Sequence, residues 1–511
     1  MKSQVKIFKE PLLEFGHGQR SANPKAGMYF FGPPAGKGRP RHIKIGVVAT
    51  PTGADLYERW AKMLNRSIPA LAENSLNHVP FPGFHSLTGA TISEQPERLE
   101  VIGPGKLASA IRLGRRHEAV RTTVSIYEAA IRKNLDEDYA IDVWFVVIPD
   151  EIYRYGRPKS VVPRSEALSS KLSISRRRAT EILSGARSLF EEENEQAETF
   201  LFEPNFHHQL KARLLDNRSV VIQIVRESTL EALVQRDSFS SKRRLQDAAS
   251  IAWNLSTTLY FKAGGQPWKL GFVRPRVCYI GLVFKLFPDT IGDGRKACCG
   301  AQMFLDSGDG LVFRGTPGDY YNPRTKQFHL DKAEAQRLVE RVVAAYRDRD
   351  PEHQSPLELV IHGRTRFNKD ECDGFAAGAP NSAVTTIRIS EAADLKLYAP
   401  RDTPVLRGTA VQIDKRHGYL WTKGLIPELG TYPGREVPKP VSVDIISGDT
   451  PLDTVFEDLL MLTKLNFNSC VFADGAPVTL RFADAVGEII TAVPEQYAMG
   501  TKAPMPFKHY I

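Results

Sequence analysis

The chain has few cysteines, no long apolar run and no glycine-rich nucleotide fingerprint, and each shortage closes a class of function. Its five cysteines (Cys278, Cys298, Cys299, Cys372, Cys470) in 511 residues include no Cys-x-x-Cys pair and no zinc-ligand spacing. A sparse, odd set of this kind fits buried thiols in a reducing cytoplasm rather than a disulfide scaffold or a zinc module. No stretch of about 18 apolar residues exists, so no membrane-spanning helix is expected. The start, Met1-Lys2-Ser3-Gln4-Val5-Lys6, is charged and has no apolar core, so no signal peptide is read there. Residues 32–41 are rich in glycine and proline. They lack the length and the Ser/Thr of a Walker loop, which removes an NTPase and leaves a basic turn. No Gly-x-Gly-x-x-Gly follows the first strand, which weakens a dinucleotide-dependent metabolic enzyme.

What is present is a long, mildly basic, ordinary globular composition. Hydrophobic residues make 42% and aromatics 9%, typical of a soluble protein. The length exceeds one hydrophobic core and sets two large domains as the expectation. Lys and Arg number 68 against 59 Asp and Glu, for a net charge of +9 and a pI near 9.1. That balance permits a polyanionic partner without requiring one.

The hydrophobic pattern divides the chain near Gln266. Before it, a strand at His42–Ala49, a helix at about Ala54–Asn65, a helix at Glu118–Lys133 and a strand at Ile141–Pro149 alternate. That order predicts a Rossmann-like α/β domain over residues 1–265. Residues 154–200 interrupt it with Arg154, Arg157, Lys159, the run Arg176-Arg177-Arg178 and an acidic run from Glu191 to Glu195. We read a solvated charged insertion, whose basic part could meet a nucleic-acid backbone although such runs ordinarily serve as surface. Residues 266–511 predict strands at Val277–Leu286, Ala301–Leu305 and Leu311–Arg314, then a helix at Ala333–Arg347. Strands at Leu357–His362, Val384–Ile389, Val405–Ile413 and Tyr419–Thr422 follow, with helices at Thr454–Leu465 and Arg481–Ala492. Consecutive strands followed by alternating strands and helices suit an RNase H-like α/β fold.

Four polar residues carry the chemical signal: His207, Lys211, Gln223 and Lys262. His207 and Lys211 are four apart in a helical stretch and share a face. Gln223 breaks an otherwise apolar strand, Val220–Val225. Lys262 closes a long helix just before Gly264-Gly265. Singly, each residue more often serves structure, as a solvated helix face or a satisfied core amide. Together, cations, an imidazole and an amide make a pocket suited to a phosphate group.

This spacing resembles the guide 5′-phosphate pocket of the Argonaute MID domain. The likeness extends along the chain through Asp142–Tyr153, Gln209–Leu215, Val225–Leu230, Tyr260–Leu270, Ala301–Asp306, Leu462–Asn468 and Pro477–Asp484. On these segments the chain is similar to a short prokaryotic Argonaute, a MID domain followed by a PIWI domain, of the branch encoded beside a TIR–APAZ protein. The resemblance implies that His207 stacks on the first guide base or bonds its phosphate, and that Lys211 and Lys262 supply cations to it. It implies that Gln223 bonds the phosphate or a nearby metal, and that the C-terminal carboxylate at Ile511 folds back to help hold Mg²⁺ there.

The same resemblance implies a dead nuclease. Cutting Argonautes hold two metals with four acidic side chains. The first acid's place falls on Val283, after Ile280-Gly281-Leu282, the third near Arg364, and the fourth on Asp484; the second has no assigned counterpart. A valine ligates no metal and an arginine repels one. The expected protein is therefore a non-cleaving, cytoplasmic sensor in prokaryotic immunity against plasmids or phage. It would bind a 5′-phosphorylated guide RNA, pair with complementary single-stranded target DNA and switch on an associated TIR–APAZ NAD(P)ase. Two alternatives stay open: a guide-directed, metal-dependent nuclease with a displaced catalytic set, and the same sensor coupled to another effector, such as a sirtuin-like NADase or a membrane protein.

Overall fold

Two uninterrupted apolar runs set the centre of the first body. Ile45–Ala49 (β2) and Val143–Ile148 (β4) are buried at every position, as strands covered on both faces must be. The computed structural model describes residues 4–494 and 504–511, apart from 37, 71–78, 136–139, 216–219, 235–246, 288–296, 306–309, 399–401, 433, 435 and the side chain of Cys298. In it β2 and β4 pair in parallel, with Arg98–Val101 (β3) outside β2 and Ile222–Arg226 (β5) outside β4. The helix Pro51–Leu64 (α2) starts where Thr50 accepts from the Gly53 N–H and Pro51 presets the first turn. Its Tyr57 and Trp60 lie 5.4 and 5.3 Å from the Phe145 ring. On the other face of the sheet, Arg116–Lys133 (α3) meets Phe206–Arg213 (α6), with Tyr127 edge-on to Phe206. The first body is closed by Pro24–Phe31 (α1), Glu227–Val234 (α7) and Ala248–Lys262 (α8).

The second body is one ten-stranded mixed sheet. Its centre is Val277–Leu286 (β6), antiparallel to Ala297–Phe304 (β7) and parallel to Glu358–Gly363 (β9). Gly310–Gly318 (β8) and Met505–Pro506 (β14) extend it on one side. Ala383–Glu391 (β10), Val441–Ser447 (β13), His417–Leu420 (β12) and Thr409–Gln412 (β11) extend it on the other, and Gln4–Ile7 (β1) ends it. Lys332–Arg349 (α9) and Lys369–Gly378 (α10) cover one face. Leu452–Leu462 (α11), Val478–Arg481 (α12) and Ala483–Ile490 (α13) cover the other. Gly281 permits that packing: a Cβ there would sit 1.8 Å from the Thr479 carbonyl oxygen.

Several elements differ from expectation for identifiable reasons. Two strand pairings cross the division at residue 265: β1 adds to the second sheet through residues 409–412, and Leu13–Glu14 pair with Lys269–Leu270. The same N-terminal stretch is fastened there by Glu10, which pairs with the buried Arg407 and with Lys464 at 2.6 Å. Residues 154–200 are more than solvated surface. Arg176–Leu183 (α4) and Glu191–Glu198 (α5) fold over a small apolar core of Leu172, Ile174, Ala179, Ile182, Ala197 and Phe200. Buried Glu118 of α3 holds this lobe by accepting from the Ser170 hydroxyl and the Lys171 N–H. The helix expected at 481–492 runs over Ala483–Ile490, and the separate turn Val478–Arg481 before it was not expected; Phe482 between them packs its ring on Phe507. The strand β13 was not expected, although its alternating burial is a period-two pattern.

Candidate nucleic-acid interface

The tail of the chain turns back into the first body and meets the predicted pocket. Asn205 caps α6 by accepting from the His207 and His208 N–H groups, which sets the helix register that places Lys211 one turn on. Lys211 is buried, and its Nζ donates to the main-chain oxygens of Ile511 at 2.9 Å and Tyr510 at 3.2 Å. Lys262, at the end of α8, is buried and donates to the Ile222 carbonyl and to Gln223 Oε1, both at 2.8 Å. His509 is buried in the same neighbourhood, with Nδ1 at 3.3 Å from the Val220 carbonyl. The tail is held by β14 against β8 and by Phe507, whose ring meets Phe304 and Phe482 edge-on.

The cluster is electrostatically one-sided. Burial pulls the Lys211 ammonium down to about 7. Burial first, and the Lys211 charge second, hold Lys262 well below the usual lysine range. Burial and then Lys508, Lys262 and Lys211 bring His509 down to about 4, the Val220 carbonyl opposing the shift. His207 is lowered by desolvation, then by Lys211, His208, Lys262 and Arg157, although its ring keeps an exposed face that tempers the effect. No acidic side chain enters the balance at Lys211 or Lys262. Buried cations are costly, and a ligand with negative oxygens offsets that cost beyond what the terminal Ile511 oxygen supplies to Lys211. The arrangement suits a phosphate. It does not by itself suit Mg²⁺: Gln223 Oε1 and the Ile511 oxygen are both engaged by ammonium groups, and no side-chain carboxylate joins them. His509 was not singled out from the sequence, where one histidine in an aromatic tail gives no distinguishing signal.

The three degenerate positions fall in two settings. Val283 is buried on β6, opposite Gly300, and its Cγ1 lies against Gly487 of α13. Arg364 and Asp484 are brought together: Arg364 Nη1 donates to Asp484 Oδ2 at 2.8 Å and Nη2 to the Leu480 carbonyl at 3.3 Å. Both side chains of this pair are exposed. Two residues before Arg364, fully buried His362 bonds Thr479 Oγ1 at 2.8 Å, and burial lowers its pKa to about 3. Among the described residues no group of three His, Cys, Asp or Glu side chains converges as for a metal ion.

Arg364 and Asp484 line a cleft of about 1120 Å³. Lys25, Lys423 and Arg481 line it too, and so do the caps of two helices, Asn23 of α1 and Asp247 of α8. Their separation in sequence hid this grouping.

Neither protein-family models nor curated proteins match the chain. Solved structures do. The Argonaute of Clostridium butyricum, bound to a guide DNA with a 5′ deoxycytidine and a 19-mer target DNA, aligns with TM-score 0.61 at 15% identity, covering 97% of this chain and 54% of that one. Aquifex aeolicus Argonaute aligns with TM-score 0.55 at 13% identity, covering 99% of this chain and 55% of that one. A second structure of that protein, with externally bound siRNA, gives 0.54 at 13%, covering 99% and 56%. These likenesses establish the fold: a Rossmann-like sheet followed by an RNase H-like sheet, the MID–PIWI arrangement of Argonautes. The chain spans about half the length of the structures it matches.

Proposed function

We propose that this protein is a non-cleaving guide-binding subunit that senses a complementary strand and activates an associated effector. The observation that carries the reading is the cluster of buried Lys211, Lys262 and His509 beside the more exposed His207, to whose charge balance no acidic side chain contributes and which suits a terminal phosphate. A 5′-phosphorylated guide RNA would place its phosphate between Lys211 and Lys262. Any Mg²⁺ would come with that phosphate, whose oxygens add to those of Gln223 and Ile511. The cleft bordered by Lys25, Lys423 and Arg481 would follow the backbone of the guide–target duplex, while base pairing to single-stranded DNA supplies sequence specificity.

Two features support the absence of cutting. Val283 packs in the core, and the carboxylate of Asp484 is neutralised by Arg364. The family branch suggests a TIR–APAZ NAD(P)ase as the effector, working in plasmid or phage immunity in the cytoplasm. The test is NAD⁺ loss by the protein co-purified with the product of the adjoining gene, given a phosphorylated guide RNA and a matched or scrambled single-stranded DNA. Loss with the matched strand alone is expected. No loss with guide and target bound would overturn the NADase coupling, and metal-dependent scission of the target would restore the nuclease reading.

A further inference from the structure

The ten-stranded sheet ends differently on its two sides. One edge is β14, two residues long and half proline, the kind of blunt end that discourages further pairing. The other is β1, whose outer edge has no partner strand among the described residues. Phe8 donates its N–H to the Gly408 carbonyl at 2.9 Å, continuing the register Gln4↔Gln412 to Ile7↔Thr409. Antiparallel bonding alternates, so Gln4, Lys6 and Phe8 turn their main-chain groups toward β11, while Val5 and Ile7 aim theirs outward. Those two side chains are also bare, at 63% and 62% exposed. Lys6 turns the other way and pairs with Asp453 at 2.5 Å. The edge therefore presents outward N–H and C=O groups and two exposed β-branched residues, with no proline, bulge or outward charge to guard it.

Exposed cations flank this edge. Lys9 lies just beyond Ile7, and Lys415 and Arg416 occupy the β11–β12 turn that follows Gln412, the partner of Gln4. Asp414 in that turn is engaged by the N–H groups of Arg416 and His417. We propose that the outer edge of β1 is a strand-addition site for an extended segment of a different polypeptide, apolar at alternate positions and acidic at its flanks. The proposal rests on the partner reading above. A second copy fits less well, because antiparallel pairing of β1 with itself brings Lys9 of one chain toward Lys415 and Arg416 of the other. The fold's solved relatives are longer, this chain covering 54–56% of their length.

The test is site-resolved hydrogen exchange on the full chain, alone and in complex with the co-expressed TIR–APAZ protein. The Val5 and Ile7 amides should exchange freely alone and slow by about tenfold or more in the complex, whereas Lys6 and Phe8 are slow in both. Val5→Pro with Ile7→Pro removes the outward donors and leaves the β11 ladder intact. It should keep the thermal midpoint and weaken the complex about tenfold or more. A complex in which Val5 and Ile7 exchange as fast as in the free chain overturns the edge assignment and leaves the partner reading standing. Protection of these amides in the chain alone, rising with its concentration, assigns the edge to a second copy and overturns the proposal. Absence of any complex overturns both.

Discussion

The two polar regions of this molecule handle charge in opposite ways. Around Lys211 and Lys262 the cations are buried, meet the tail oxygens of Tyr510 and Ile511, the Ile222 carbonyl and the Gln223 amide, and have lowered proton affinities. Around Arg364 and Asp484 the charges are exposed and satisfy each other at 2.8 Å. A buried cationic cluster gains from an anionic ligand, whereas a surface carboxylate already paired with an arginine gains less from a cation. The difference separates a buried cationic pocket at the tail from the exposed, charge-paired positions where the resemblance places metal-binding acids.

Four experiments break or sharpen this contrast, in falling order of effect. Val283→Asp places an unpaired carboxylate in a packed site and should destabilise the protein by about 3 kcal/mol or more. It should restore no target cleavage, because Arg364 still neutralises Asp484; scission by this variant would show the positions to be misaligned. Lys211→Ala should cost about 1–3 kcal/mol in affinity for a 5′-phosphorylated guide and little for a 5′-hydroxyl guide. Equal losses for both guides would remove Lys211 from phosphate binding.

The third experiment is a pH titration of guide affinity. The Lys211 pKa is lowered to about 7 in the folded, unliganded chain. Between that value and the ordinary lysine range the unfolded chain binds the extra proton and the folded one does not. Stability of the free protein therefore rises with pH across that window. A phosphate favours the protonated lysine, so guide affinity should fall as pH rises above about 7, by no more than about tenfold per unit for one proton. An affinity flat from pH 7 to 9 would contradict the charge assignment. Smallest of all, Arg364→Ala should change stability by less than about 1 kcal/mol, since both partners are exposed. A larger loss in thermal unfolding would mean that the pair is more than a surface contact.

Much of the architecture was legible because it is written in local periodicity. β2, β4 and β6 are apolar runs bounded by turn signals, and the body of α2 was legible from Ala54 on, although its Thr50-Pro51 start was not read. The His207–Lys211 spacing was readable for the same reason, since helical pitch alone puts them on one face. The lobe at 172–200 was misread as merely solvated because its charges outnumber the few apolar residues that fold it. β1 was missed because a four-residue strand has no meaning until its partner, some 400 residues later, is in place.

By itself, then, the sequence determined the α/β character of the two bodies, the order of their central strands and long helices, and residue types able to hold a phosphate, since these follow from the period of apolar residues and from side-chain chemistry. Only the tertiary structure decided that Lys211 meets the main chain of Ile511, that His509 joins the cluster, and that Arg364 neutralises Asp484. Those contacts join segments more than a hundred residues apart. Their energies come from burial and from removal of water, which exist only once the chain has closed on itself.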